Sequence, residues 1–368
     1  MSENVTSNLS KNNTYITYIV IVLIVIIFII FIMGVVYFGS LQSRKIDAIN
    51  LLYPSIDGHL RSIGTECSGN LYDYYIKTAY NSCSGGSYKN DFVDISILKA
   101  ILKQGVRCLD FEIYNINSEP VVATNSSDVD NYFVKETFNS VPFSNVMDVI
   151  NSYAFSGGTC PNPTDPLLIH LRIQSTEQAM YTNLAKIFKS YTNIMLGKYY
   201  SYENFGRNIG AYPLLTFKGK VILIIDKLNN SFLENKDLIE YVNLTSNSIF
   251  MRAVKYNDVK NTPDINELEE FNKKGMTIVF PDGGINPPNP SGVLCRGAGC
   301  QMVAMRYQYV DNFLEENAIF FDDCGYAFCL KPENLRHTEV TIPDAETQKP
   351  AYSYETRTAA KEYYSFKF

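Results

Sequence analysis

Two short stretches decide the reading of this chain: Cys108-Leu-Asp-Phe-Glu-Ile113 and Leu167-Leu-Ile-His-Leu-Arg-Ile173. Each is apolar except for two titratable residues spaced two apart. Side chains two apart on a β-strand point to the same side. Asp110 and Glu112 therefore share one face, and His170 and Arg172 share another. Charges inside apolar strands are costly unless they are paired or sit at a functional mouth. The pattern implies either ion pairs that fill a barrel end or a metal or phosphate site. Outward from these stretches, strand candidates run at Tyr74–Thr78, Val106–Ile113, Leu167–Ile173, Lys220–Ile225, Met276–Phe280 and Met302–Tyr307. Helical patterns at Ile95–Lys103 and Phe143–Tyr153 fall between them. Strands alternating with helices over residues 71–336 suit an α/β fold, a TIM-type (β/α)8 barrel.

Ahead of this region lies an uncharged apolar run from Ile19 to Phe38, broken only by Gly34 and Tyr37. Some twenty residues at 1.5 Å rise span about 30 Å, the thickness of a hydrocarbon core. Tyr15, Tyr18 and Tyr37 flank the run as interfacial aromatics do, and Arg44 and Lys45 follow in place of a cleavage site. The expected order is a tail over 1–14, one transmembrane helix over 15–40, a stalk over 41–70, the barrel and a tail over 337–368. Arg44, Lys45 and Arg61 against the single Lys11 lean towards a barrel facing the cytoplasm. Sequons at Asn4, Asn8, Asn12, Asn125, Asn229 and Asn243 argue for the opposite side, but chance alone supplies them in so Asn-rich a chain. Net charge is -6 with a pI near 5.3, which excludes a nucleic-acid partner as the expectation. The 8 cysteines lack zinc spacing. They read as small buried thiols, although Cys295, Cys300, Cys324 and Cys329 fall close enough in sequence to pair.

Several ordered motifs resemble the X and Y halves of phosphoinositide-specific phospholipase C. Tyr74-Tyr-Ile-Lys-Thr-Ala-Tyr-Asn-Ser-Cys83 is similar to that family's opening strand, which ends Ser-His-Asn-Thr-Tyr. Ile97 to Glu112 resembles its helix and following Glu-Leu-Asp strand, and Pro120-Val-Val122 and Pro166-Leu-Leu168 open further strands. In the second half, Phe271-Asn-Lys-Lys274, Phe280-Pro281, Ala298-Gly-Cys-Gln-Met-Val-Ala-Met305, Cys324-Gly-Tyr326 and Leu330-Lys-Pro-Glu-Asn-Leu-Arg336 continue the likeness. The X half is placed at about 71–200 and the Y half at about 213–336. The resemblance is confined to the barrel, with no C2, pleckstrin-type or EF-hand region expected beside it.

The resemblance implies two histidines, a calcium ion on oxygen ligands and a cationic inositol-phosphate pocket. This chain departs at each. Tyr80 stands where the first histidine belongs, and Ala123-Thr-Asn-Ser126 where the second does, with Ser126 the aligned residue. Losing one acid/base group typically costs about a hundredfold to ten-thousandfold in rate. Asn81, Asp110 and Glu112 match three calcium ligands, but the fourth acid aligns with Arg172, which is expected to take the metal's place. Positions of the phosphate-binding lysines hold Ile224 and Asp226, and those of the inositol arginine and stacking tyrosine hold Ile278 and Phe280. The substrate serine aligns somewhere in Ser246–Ser248. No catalytic residue, metal or cofactor is therefore expected; calcium enters only if an unconventional relay, such as His170, has taken over.

The expected function is a membrane-anchored, catalytically inactive phospholipase C-like protein that serves as a structural or protein-binding platform. The alternative is an active or lipid-binding phosphodiesterase with unconventional site residues. An intracellular membrane, or the internal membrane of a virion, suits an anchored barrel, and the Asn-, Ile-, Lys- and Tyr-rich composition fits the AT-rich genome of a large DNA virus. The aromatic end Tyr363-Tyr-Ser-Phe-Lys-Phe368 is expected to pack on its own fold.

Overall fold

The computed structural model describes residues 2–127, 133–202, 207–338 and 354–368, with side chains from residue 15 onward. In chain order the helices are α1 Ser2–Gly39, α2 Leu41–Leu52, α3 Ile95–Lys103, α4 Phe143–Val149, α5 Gln178–Ser190, α6 Lys236–Ile239, α7 Tyr256–Lys260, α8 Ile265–Lys274, α9 Gly292–Gly297 and α10 Asn312–Cys324. The barrel strands are β1 Tyr74–Ala79, β2 Cys108–Ile116, β5 Leu167–Gln174, β6 Val221–Asp226, β7 Leu244–Ser246, β8 Met251–Lys255, β9 Met276–Phe280 and β10 Met302–Met305. All pair in parallel in the order β7-β6-β5-β2-β1-β10-β9-β8. Among the described residues no ladder joins β7 to β8, so the barrel is nearly closed. Short antiparallel additions, β3 Glu119–Ala123 with β4 Val141–Pro142 and β11 Phe328–Leu330, extend β2 and β1.

Alternation along each strand builds two cores. Ile76, Cys108, Leu168, Ile222, Ile224, Ile278 and Met302 point into the barrel. Their neighbours Ala79, Leu109, Ile169, Leu223, Val279 and Val303 pack outward under the helices. Strands covered on both faces read as nearly continuous apolar runs, and that is why these segments stand out in the sequence. The helices carry matching signals. Asp94 caps α3 by accepting from the Ser96 amide, and Ile97, Leu98, Ile101 and Leu102 bury one face. Asp311 caps α10, which ends at Gly325 in the left-handed region with φ 75°.

Several expectations change. The short β7 and β8 are not legible as strands, and Pro120–Val122 falls in the antiparallel β3 and not in the barrel wall. The stalk over 41–70 is no stalk. Ile49, Leu60, Ile63 and Cys67 are buried, and Lys45 pairs with Asp91 at 3.0 Å while Gln42 donates to Asp94 at 2.7 Å. Phe38, at the end of α1, stacks edge-on against Phe92 and Phe138, on loops at the carboxyl ends of β1 and β3. The cysteines also divide. Six are free and buried, but Cys324 and Cys329 form a disulfide, because Gly325 turns the chain back and leaves their Cα atoms 6.0 Å apart. Sequons at Asn125, Asn229 and Asn243 hold buried side chains bonded inside the fold and so carry no topological weight. The stretch Tyr15–Gly39 of α1 is long and apolar enough to cross a membrane. Residues 337–368 are a unit of their own, in which Thr358–Lys361 and Tyr364–Lys367 form an antiparallel hairpin.

Candidate functional site

The β2–β5 ladder pairs Asp110 with His170 and Glu112 with Arg172 in register. Four polar side chains, on two strands more than fifty residues apart, are thereby brought to one place inside an apolar barrel. Asn81 joins them just past β1, in the left-handed region (φ 45°) that Asn tolerates better than most residues. Its amide donates to Asp110 Oδ2 at 3.3 Å and its Nδ2 to Glu112 Oε1 at 3.2 Å. The Arg172 guanidinium fills the space between. Nε donates to Asp110 Oδ1 (3.1 Å), Nη2 to Asp110 Oδ2 (2.7 Å) and Asn81 Oδ1 (2.9 Å), and Nη1 to Glu112 Oε1 (2.7 Å).

Both carboxylates are fully engaged. Glu112 Oε2 accepts from the Tyr114 hydroxyl (2.8 Å), the Asn125 amide (3.0 Å) and Asn125 Nδ2 (3.1 Å). Asp110 Oδ1 also accepts from His170 Nδ1 at 2.8 Å. Burial by itself would raise the Asp110 carboxyl, but the Arg172 charge and the His170 and Arg172 hydrogen bonds overcome it and hold the group at about 2. Burial likewise opposes the charge on Arg172, yet Asp110, Tyr80 and Glu112 raise its pKa further still. At about 4 Å and an effective dielectric near 20, one such pair is worth roughly 4 kcal/mol before desolvation.

Above the cluster opens a cleft of about 490 Å³ at the carboxyl ends of the strands. Tyr80, Ser126, Asp226 and Phe280 line it, whereas Ile224 and Ile278 are buried in the barrel core below. Tyr80 stacks against Tyr88 and Phe280 with Arg172 over its ring at 4.7 Å, and burial pushes its phenol well above the ordinary value. Ser126 is turned aside: its Oγ and amide both donate to Glu136, which Lys89 also holds. Asp226 accepts from Asn247 at 2.6 Å. His170 is fully buried, and its Nε2 lies 2.9 Å from Ser246 Oγ. Ser246, His170 and Asp110 thus form a chain in the order of a nucleophilic triad. Both Ser246 and His170 are fully buried, and neither lines the cleft.

Tyr114, Asn125 and Tyr88 are site residues that the sequence did not single out, whereas Ser246 lies in the Ser246–Ser248 stretch to which the substrate serine aligns. Tyr114 was within reach, since it continues the same-face series of Asp110 and Glu112. Asn125 arrives through the loop after β3 and carries no periodic signal, and Ser246 ends the short β7.

The cluster does not fit a calcium ion. Calcium takes six to eight oxygens at 2.3–2.6 Å. Here Asp110, Glu112 and the Asn81 carbonyl oxygen all accept from the guanidinium that stands among them. The cleft is also poor in free cations: Glu112, Asp226, Asp258 and Asp282 line it against Arg172 and Lys255.

Comparison with known proteins gives a consistent result. The family model described as phosphatidylinositol-specific phospholipase C, X domain, matches residues 67–227, and the Y-domain model matches 232–334. Over 86 residues the chain is 35% identical to the 1-phosphatidylinositol 4,5-bisphosphate phosphodiesterase beta-4 of Homo sapiens, and equally to that of Rattus norvegicus. That match covers 22% of this chain and 7% of either relative. Among solved structures, L. pealei PLC21 superposes with a TM-score of 0.60 at 17% identity, over 76% of this chain and 39% of that one. S. officinalis PLC21 gives 0.60 at 18% over the same shares. The chain spans well under half the length of these relatives. With both halves of the barrel matched in order, the chain belongs to the phosphatidylinositol-specific phospholipase C family.

Proposed function

We propose that this protein is a membrane-anchored phospholipase C barrel that does not turn over phosphoinositides and serves as a structural or protein-binding platform. The observation that carries the reading is the Arg172 guanidinium, hydrogen-bonded to Asp110, Glu112 and Asn81 where the family resemblance calls for a cation. The guanidinium occupies the space among the carboxylates, offsets one of their two charges and repels a metal ion there. Two further features support it. The positions expected to relay protons hold Tyr80, whose phenol burial disfavours ionising, and Ser126, which is bonded away to Glu136. The cleft lining is acidic, and phosphate recognition needs free cations, Arg above all. Tyr15–Gly39 supplies the anchor.

The full chain in detergent micelles or nanodiscs tests this against phosphatidylinositol and its bisphosphate, with and without calcium, beside an active family member. No product above a protein-free control is expected. Calcium-dependent release of inositol phosphate would overturn the proposal, and binding of phosphoinositide without turnover would replace it with a lipid-binding role.

A further inference from the structure

A second polar cluster lies outside the barrel, behind β1. Strand alternation turns Ile76 inward and Lys77 outward. Around the Lys77 ammonium stand Asp57 and His59, on the segment leading from α2 into β1, and Asp322 near the end of α10. Together with Tyr307, just past β10, they line a cavity of about 270 Å³. His59 Nδ1 is 3.3 Å from Asp57 Oδ1 and 3.9 Å from Asp322 Oδ2. One donor atom from each residue lies within 4.8 Å of the other two. Donors on a tetrahedral ion with bonds of about 2.0 Å are roughly 3.3 Å apart, so the first contact already has that spacing and the second closes to it with a small side-chain rotation.

An independent feature points to a ligand here. Tyr307 lines the same cavity and is only 4% exposed, and its hydroxyl has no hydrogen-bond partner among the described residues. A buried hydroxyl left unpaired is costly, and a bound ion with its water would supply the missing partner. The charges also suit a cation. Lys77 occupies Asp57 Oδ2 at 3.4 Å, and Asp57 Oδ1 accepts from the His59 amide at 2.9 Å while still facing the imidazole. Two carboxylates against one ammonium leave a net negative charge for a divalent ion.

We infer that Asp57, His59 and Asp322 form a site for a divalent transition metal of the zinc class, with Tyr307 placed to bond a water on it. One imidazole and two carboxylates suit zinc better than calcium or magnesium, which require six or more oxygens. The His59 side chain is 73% exposed and gives the ion a way in. Its effect is to clip the segment below the anchor helices onto the last helix of the barrel, elements from opposite ends of the fold.

The test is calorimetric titration of the full chain in detergent with zinc, and in parallel with calcium and magnesium. One zinc per chain is expected, with a melting temperature that rises with zinc concentration and visible absorption of a four-coordinate site when cobalt is used instead. His59→Ala should weaken zinc binding at least about a hundredfold, the upper figure for losing even a supporting group. It should leave the metal-free melting temperature unchanged, since the ring is exposed. Asp322→Asn gives an independent second variant. Absence of saturable zinc binding, preference for calcium, or binding undiminished in both variants would overturn the site.

Discussion

Glu112 and Arg172 face each other across the β2–β5 ladder, paired in register, with Oε1 and Nη1 2.7 Å apart. One step below, Asp110 and His170 repeat the arrangement at 2.8 Å. Neighbouring parallel strands thus place two acids opposite an arginine and a histidine, and the chain itself supplies hydrogen-bond partners for both buried carboxylates.

Arg172→Ala is expected to destabilise the protein by about 3–5 kcal/mol, the usual result of leaving buried carboxylates without their partner. Urea denaturation followed by circular dichroism measures this. Arg172→Glu adds a third acid at the same place and should make the melting temperature rise with millimolar calcium, which the parent protein should not do. A variant as insensitive to calcium as the parent would refute the idea that the guanidinium substitutes for an ion.

Two buried acids should give opposite pH slopes. Asp110 is held at about 2, below its value in the unfolded chain, so its contribution is complete above about pH 4 and is lost as pH falls through 2. Asp165 is the reverse: burial pushes it up to about 6, against the opposing influence of Arg107 and of its bonds from Ile63 and Asn162. Its contribution is complete below about pH 4 and is lost as pH rises through 6, a change of about 3 kcal/mol. Stability measured from pH 7 to pH 4 should therefore carry a rising component that Asp165→Asn removes.

Thiol counting checks the cysteines. The native protein should resist alkylation, because all six free thiols are buried. Unfolded without reductant, it should take up six equivalents, and with reductant eight, as the Cys324–Cys329 bridge opens. The bridge closes a loop with a sequence separation of 5, so replacing both cysteines by Ser should cost about 2 kcal/mol. Uptake of eight equivalents without reductant would show the bridge absent.

Gln301→Leu should be among the most damaging single changes in the barrel. Gln301 Nε2 serves the carbonyls of Tyr72, Asn272 and Gly275, and its Oε1 accepts from the Thr277 amide. Leucine fits the volume but leaves the Tyr72 and Gly275 carbonyls and the Thr277 amide without this partner, at about 1–3 kcal/mol each, while the Asn272 carbonyl keeps Lys331. Soluble yield and thermal melting of the variant report the loss; a melting temperature within a degree of the parent would mean water replaces the amide.

What the sequence determined by itself is what depends on local pattern. Apolar runs bounded by turn residues marked six of the eight barrel strands, the long uncharged stretch marked α1, and period-two spacing placed Asp110 beside Glu112 and His170 beside Arg172. Even the motif around Gln301 was visible, though as a string without a role. The tertiary structure decided everything that depends on which distant segments meet. It set the register that puts Arg172 opposite Glu112, the loop that brings Asn125 onto the same carboxylate, and Ser246 beneath His170. It folded 41–70 onto the barrel and joined Asp57 and His59 to Asp322 across nearly the whole fold. The physical reason is one of range. Alternation and helical periodicity are properties of adjacent residues, whereas parallel pairing and loop return arise only when packing a closed barrel selects one arrangement among many with similar local energies.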